Sequence, residues 1–142
     1  MLALEVVPLP VTIIDRALAF YTEQIGFVLD VDYHPTPDFR VVQLTPPGSS
    51  CSVHLVATES SRRMRNLVLV TEDLEAERTR LIGRGVEVSA IRHKDPVGTW
   101  AGGYSAGLDP QRRDYASYAD FADPDGNTWT LQERGYRAAG GK

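Results

Sequence analysis

The chain is poor in several features that would narrow its chemistry on their own. Cys51 is the single cysteine among 142 residues. One thiol cannot make an intramolecular disulfide, which agrees with a reducing compartment, and nothing around it marks it as a nucleophile. No apolar run approaches the roughly 20 residues that span a bilayer, so no membrane segment is expected. The opening residues Met1-Leu2-Ala3-Leu4-Glu5 lack a basic stretch followed by a cleavable apolar one, and the expected location is cytoplasmic. A basic excess is missing too: 15 Lys and Arg stand against 19 Asp and Glu, for a net charge of -4. That balance disfavours nucleic acid as a partner. The small cluster Arg62, Arg63 and Arg65 reads as solvating a connection.

What is present is a repeat. Val11-Thr12, Ala17 and Gly26 recur about 59 residues later as Val70-Thr71, Ala76 and Gly85. Each set runs from a strand end through a helix to a second strand, so one domain of two modules, roughly 1–60 and 64–135, is expected. In the first, a strand over 3–9 is limited to its early part or to a sheet edge by Pro8 and Pro10. A helix begins near Ile14, with Ala17, Phe20, Tyr21 and Ile25 on one face and Gly26 as its stop. Three strands follow, over 27–33, 39–44 and 51–56.

The second module opens with a strand over 65–70 and a helix over 73–84, with Thr71 as its N-cap and Gly85 as its end. Val86-Glu87-Val88 is expected to start the next strand. A long loop then covers 89–114, and Trp100 and Tyr104 suggest a partly ordered flap over a cavity, or aromatics that pin a surface loop. Strands over 115–122 and 127–133 flank the turn Asp123-Pro124-Asp125-Gly126. Pairing Ala122 with Asn127 puts Tyr115, Ser117, Ala119 and Phe121 on one face with Thr128, Thr130 and Gln132. Asp120 then falls on the opposite face.

The segments VTIIDRALAFY (11–21) and FADPDGNTWTLQE (121–133) resemble the two ends of the glyoxalase, bleomycin-resistance and extradiol-dioxygenase superfamily, the vicinal oxygen chelate proteins. The resemblance spans nearly the whole chain. It implies an α+β fold of paired βαβββ modules that form a curled, partly open barrel around a cavity, and a homodimer. Metal-dependent members hold a divalent ion with inward His and Glu residues. Carried over residue by residue, those positions are Val6, His54, Asn66 and Thr130. One imidazole and two neutral oxygens make a poor set, since hard cations prefer carboxylates and softer ones want more imidazole or thiolate. No metal cofactor is therefore expected. Glu5 and Glu133 would join only through a shift of register, and a slip of one residue turns a side chain to the other face.

Two functions follow. In the first, a metal-free protein captures a small, partly aromatic molecule, an aromatic metabolite or antibiotic, with Trp100, Tyr104, Tyr115 and Phe121 as apolar walls. His54, Asn66, Thr130 and Gln132 supply the polar contacts. The alternative is a lyase, isomerase or oxygenase of the same superfamily, with or without a metal. There His54 is the one candidate base, and Asn66 or Tyr104 would polarise an oxygen. For His54 a hydrogen-bonded interior role is the plain competing account.

Overall fold

A computed structural model describes residues 1–95 and 102–138. The chain divides into two compact units, one of residues 1–65 with 123–127, the other of 66–122 with 128–142. Both are α+β units built on a mixed sheet, and the sheets are not closed into a barrel. Among the described residues no helix is long and apolar enough to cross a membrane.

The first unit runs β1 (Val6–Val11), α1 (Ile14–Ala19), a π-helical turn (Phe20–Ile25), β2 (Val28–Thr36), β3 (Phe39–Thr45) and β4 (Ser52–Ala57). This is the expected βαβββ order, in a sheet arranged β1-β4-β3-β2. β1 passes through both prolines, and it can because it is an edge strand, where a missing N–H costs no ladder bond. Gly26 ends the helical segment at φ 97, a left-handed conformation that a side chain would resist. Leu9, Val11, Val42, Leu44, Val53 and Leu55 fill one face of the sheet, and Ala17, Phe20, Tyr21, Ile25 and Phe27 are buried with them. The opposite face carries Gln43 and His54, which lie opposite each other in the β3–β4 ladder.

The segment 123–127 belongs to this unit through a dense set of hydrogen bonds. Asp123 accepts from Tyr21 Oη (2.7 Å) and Asn127 Nδ2 (2.8 Å), and from the backbone N–H groups of Asp125 and Asn127. Asn127 Nδ2 also donates to the Pro10 carbonyl, and its Oδ1 accepts from the Met64 N–H. Arg63, expected on a solvated connection, instead donates to the Asp125 carbonyl and to Thr12 Oγ1. Asp125 accepts from the Thr12 N–H and from Arg16. Burial pushes the Asp125 carboxyl up, but the Thr12 hydrogen bonds, Arg16 and Arg63 outweigh it and leave the group below its ordinary value.

The second unit runs β5 (Leu67–Thr71), α2 (Leu74–Gly83), β6 (Arg92–Asp95), β7 (Gly103–Ala106), β8 (Ser117–Ala122) and β9 (Thr128–Glu133), in the sheet order β5-β9-β8-β6-β7. Three expectations change. Asp73, not Thr71, caps α2, its side chain accepting from the Ala76 N–H at 3.0 Å. Residues 86–88 form no strand; Val86 is tied to the helix end, its N–H donating to the Leu81 carbonyl. The span 89–114 holds the antiparallel pair β6–β7, whose intervening residues, Trp100 among them, lie outside the described residues.

The fourth change has the largest consequence. Ala122 pairs with Thr128 rather than Asn127, so the β8–β9 register is one residue from that expected. Phe121 therefore turns into the core, stacked on Trp129 at 6.2 Å. Asp120 comes to the Thr130 side, where Thr130 Oγ1 donates to it at 2.9 Å.

Replacing Tyr21 with Phe removes the one hydroxyl donor to Asp123 at a fully buried position. Hydrogen bonds to charged groups contribute about 1.5–3 kcal/mol, and urea unfolding of Tyr21→Phe is expected to lose that much. A loss near zero would remove the Tyr21–Asp123 bond from the forces that hold the turn.

Candidate functional site

The site grows out of an interruption in the first sheet. β3 and β4 share only the rungs Leu44–Val53, Gln43–His54 and Val42–Leu55. Beyond them β4 stays with β1, through Pro10–Val56 and Val11–Ala57, while β3 stays with β2, through Val41–Tyr33 and Phe39–Thr36. Hydrogen-bonded strands run about 4.8 Å apart and leave no room between them. Where the ladder stops, a cavity of about 430 Å³ opens.

Its lining follows from that split. β4 contributes His54, Val56 and Ala57, and β3 contributes Arg40. From β2 and the turn after it come His34, Pro37 and Asp38, and Ile14 adds the start of α1. The β2–β3 register shifts between Tyr33 and Thr36, and His34 lies within that irregular stretch. Such irregularities re-aim side chains at strand ends.

Arg40 is the anchored charge. Its Nε and Nη2 form a fork on the two Asp32 oxygens at 3.0 and 2.9 Å, and Nη1 reaches Asp15 at 2.7 Å. These bonds, first from Asp32 and then from Asp15, raise the guanidinium well above its ordinary value. The same fork lowers the Asp32 carboxyl despite some burial, with Arg40 and His34 adding favourable charge. Three of the five N–H donors of Arg40 are committed in this way.

The histidines are different. His54 is half-buried, and neither it nor His34 has a side-chain hydrogen-bond partner among the described residues. Among the described residues, nothing supplies the side-chain hydrogen bond expected of an interior histidine at His54. Among the described residues no carboxylate orients its ring either.

The other expected site residues that the structure describes belong to the second unit. On the second sheet, the ladder Lys94–Tyr104, Arg92–Tyr118, Tyr118–Gln132 and Asp120–Thr130 puts Tyr104, Thr130 and Gln132 on one face. There Arg92 lies 5.1 Å from the Tyr104 ring and 5.5 Å from that of Tyr118, and is paired with Asp120 at 2.6 Å. Asn66 precedes β5 in a left-handed conformation, φ 58, its N–H donating to Thr128 Oγ1. Tyr115, at φ 60, exposes its ring, and its hydroxyl accepts from Arg134. Phe121 is core.

The residues at the positions implied for a metal do not fit one by their chemistry. Val6 is apolar, and Thr130 donates its hydroxyl to Asp120. Glu133 is fully buried, gripped by Arg112 Nε and Nη2 at 2.7 and 2.6 Å while it accepts from the Leu74 N–H. Among the described residues no three His, Cys, Asp or Glu converge on a point that could hold an ion. His34 and Asp38 fall in the stretch 34–38 between two expected strands and Arg40 inside the second of them, so none of the three stands out in the sequence as a site residue. Their signal is three ionisable side chains clustered around Pro35 and Pro37.

A family model described as the Glyoxalase/Bleomycin resistance protein/Dioxygenase superfamily matches residues 3–131. Among solved structures, TnmS3, an antibiotic binding protein from Streptomyces sp. CB03234, is 29% identical, with 94% of this chain and 96% of that one covered and a TM-score of 0.69. A glyoxalase/bleomycin resistance protein from the same Streptomyces is also 29% identical, covering 92% of this chain and 100% of that one, with a TM-score of 0.67. A superfamily member from Sphaerobacter thermophilus DSM 20745, 24% identical over 94% of this chain and 98% of its own, shares the fold with a TM-score of 0.70. No curated protein sequence gives a significant match.

The Arg40 fork carries a pH signature. The Asp32 carboxyl is lowered in the folded chain from 3.8, so its contribution is full above that value and is lost as pH falls through it toward the folded value. Arg40→Met is expected to destabilise by about 1 kcal/mol at pH 6, and the gap between variant and wild type should close as the pH is taken down to about 2. A gap that persists in acid would assign the loss to packing of the Arg40 stem.

Proposed function

The chain belongs to the glyoxalase/bleomycin resistance protein/dioxygenase superfamily, and on that premise we propose that it is a metal-free small-molecule-binding protein that sequesters an aromatic metabolite or antibiotic. The observation that carries this reading is the split-sheet cavity with two imidazoles that make no side-chain hydrogen bond among the described residues. A volume of about 430 Å³ is within the range of small-molecule pockets. Ile14, Pro37, Val56 and Ala57 offer it apolar walls. Similarity to TnmS3, whose own description is an antibiotic binding protein, supports the same class of ligand.

The enzymatic alternative needs more than the cavity supplies. A histidine base is ordinarily held in one orientation by a second group, often a carboxylate. His54 has none among the described residues. The donor set likewise favours capture without a divalent ion. His54, His34 and Arg40 are accordingly assigned to ligand contact rather than to bond making.

The resemblance also implies a homodimer, and the His54 face of the first sheet exposes Val28, Val31, Tyr33 and Val56. An apolar surface of that kind suits a second copy of the chain. Light scattering is expected to return about twice the 15.7 kDa chain mass. A mass of one chain at all concentrations would sink the dimer.

Two melting experiments test the binding reading. Zinc, nickel, manganese or ferrous ions are expected to leave the melting temperature unchanged, whereas a ligand at about 100 times its dissociation constant adds about 2.7 kcal/mol. In a screen of aromatic antibiotics at least one compound should raise the melting temperature, and His54→Ala should abolish that rise. A large metal shift, or a ligand shift untouched by His54→Ala, would overturn the assignment.

A further inference from the structure

We propose that the split-sheet cavity selects an organic cation, with Asp38 as the counter-ion for a protonated amine; this rests on the reading of that cavity as the binding site. The argument is a charge inventory. The single guanidinium in the lining, Arg40, is answered by Asp32 and Asp15. Asp38 lines the same cavity and has no ion pair among the described residues. Asp15, Asp32 and Asp38 thus set three carboxylates against the one guanidinium of Arg40, and the balance of these four groups is negative.

A negative, partly enclosed surface draws cations and repels anions. Arg40 is a poor anion receptor here, because any carboxylate or phosphate brought to it must approach the two carboxylates already held. An ammonium meets the opposite situation at Asp38. His34 and His54 add ring nitrogens able to accept from N–H or O–H groups of the ligand. Val56 and Ile14 give an apolar body something to lie against. The ligand class that satisfies these features together is an amine carried on an apolar or aromatic frame.

Tryptamine, tryptophol and indole-3-propionate carry the same ring on a short side chain and differ in the charge at its end, so they separate cavity binding from charge selection. Affinity is read by calorimetry, and the imidazole proton signals of His34 and His54 report occupancy of the cavity. Tryptamine is expected to bind about tenfold more tightly than tryptophol, with indole-3-propionate weakest. Asp38→Asn, which keeps a residue suited to the turn, should bring tryptamine down to the level of tryptophol and leave tryptophol unchanged. Added salt should narrow the same gap. If tryptophol or indole-3-propionate binds as tightly as tryptamine and moves the imidazole signals, the cavity remains the site and the cation preference is overturned. If none of the three moves those signals, both the preference and the cavity assignment fall.

Discussion

The first unit is organised by where the β3–β4 ladder ends. Interstrand hydrogen bonds impose a spacing that excludes any guest, so a sheet can hold a ligand within its own plane only where pairing is given up. Here each strand keeps its outer neighbour: β4 follows β1, and β3 follows β2. The gap is therefore lined by strand ends and by the β2–β3 turn. A polar cluster collects where the backbone is least regular, and the apolar face that holds α1 is left intact.

Three buried carboxylates are held by one device. Asp125, Asp109 and Glu133 have side chains that are almost fully inaccessible, and each is met by arginine together with a backbone N–H. At Asp109 the Arg113 fork outweighs burial and holds the carboxyl far below its ordinary value. A buried charge without such partners would be strongly destabilising, so these arginines are structural. Arg40 forks onto Asp32 in a similar way, but that carboxylate is partly exposed and the arginine lines a cavity. That leaves Asp38 and the two histidines as the groups of the site whose polar capacity is not consumed by the fold.

Much of the chain was legible before any coordinates. The repeat through Val11-Thr12 and Val70-Thr71 marks two strand–helix units, Gly26 ends the first helical segment, and β3, β4 and β9 lie within a residue or so of their expected limits. His54 was found as a candidate from its type and place. The β8–β9 register was not legible, because Asn127 leaves the ladder for the turn. Its amide is recruited by Pro10, Asp123 and Met64, which are distant in sequence or reachable only once the turn has formed. A shift of one residue exchanges the faces of a strand, so Phe121 passed from cavity wall to core and Asp120 joined Thr130.

By itself the sequence determined the βαβ periodicity, the absence of a long apolar span, and which residues, Val6, His54, Asn66 and Thr130, stand where the resemblance implies metal ligands. These are local or compositional properties, carried by spacing along the chain. Tertiary structure decided which strands stay paired and where they part. It brought His34, Asp38 and Arg40 beside His54, which lies on another strand. Of the expected binding residues, it set His54 at the cavity of the first unit and gathered Tyr104, Thr130 and Gln132 on one face of the second unit's sheet. Pairing register and the end of a ladder depend on hydrogen bonds between residues far apart in sequence, and no local pattern encodes them.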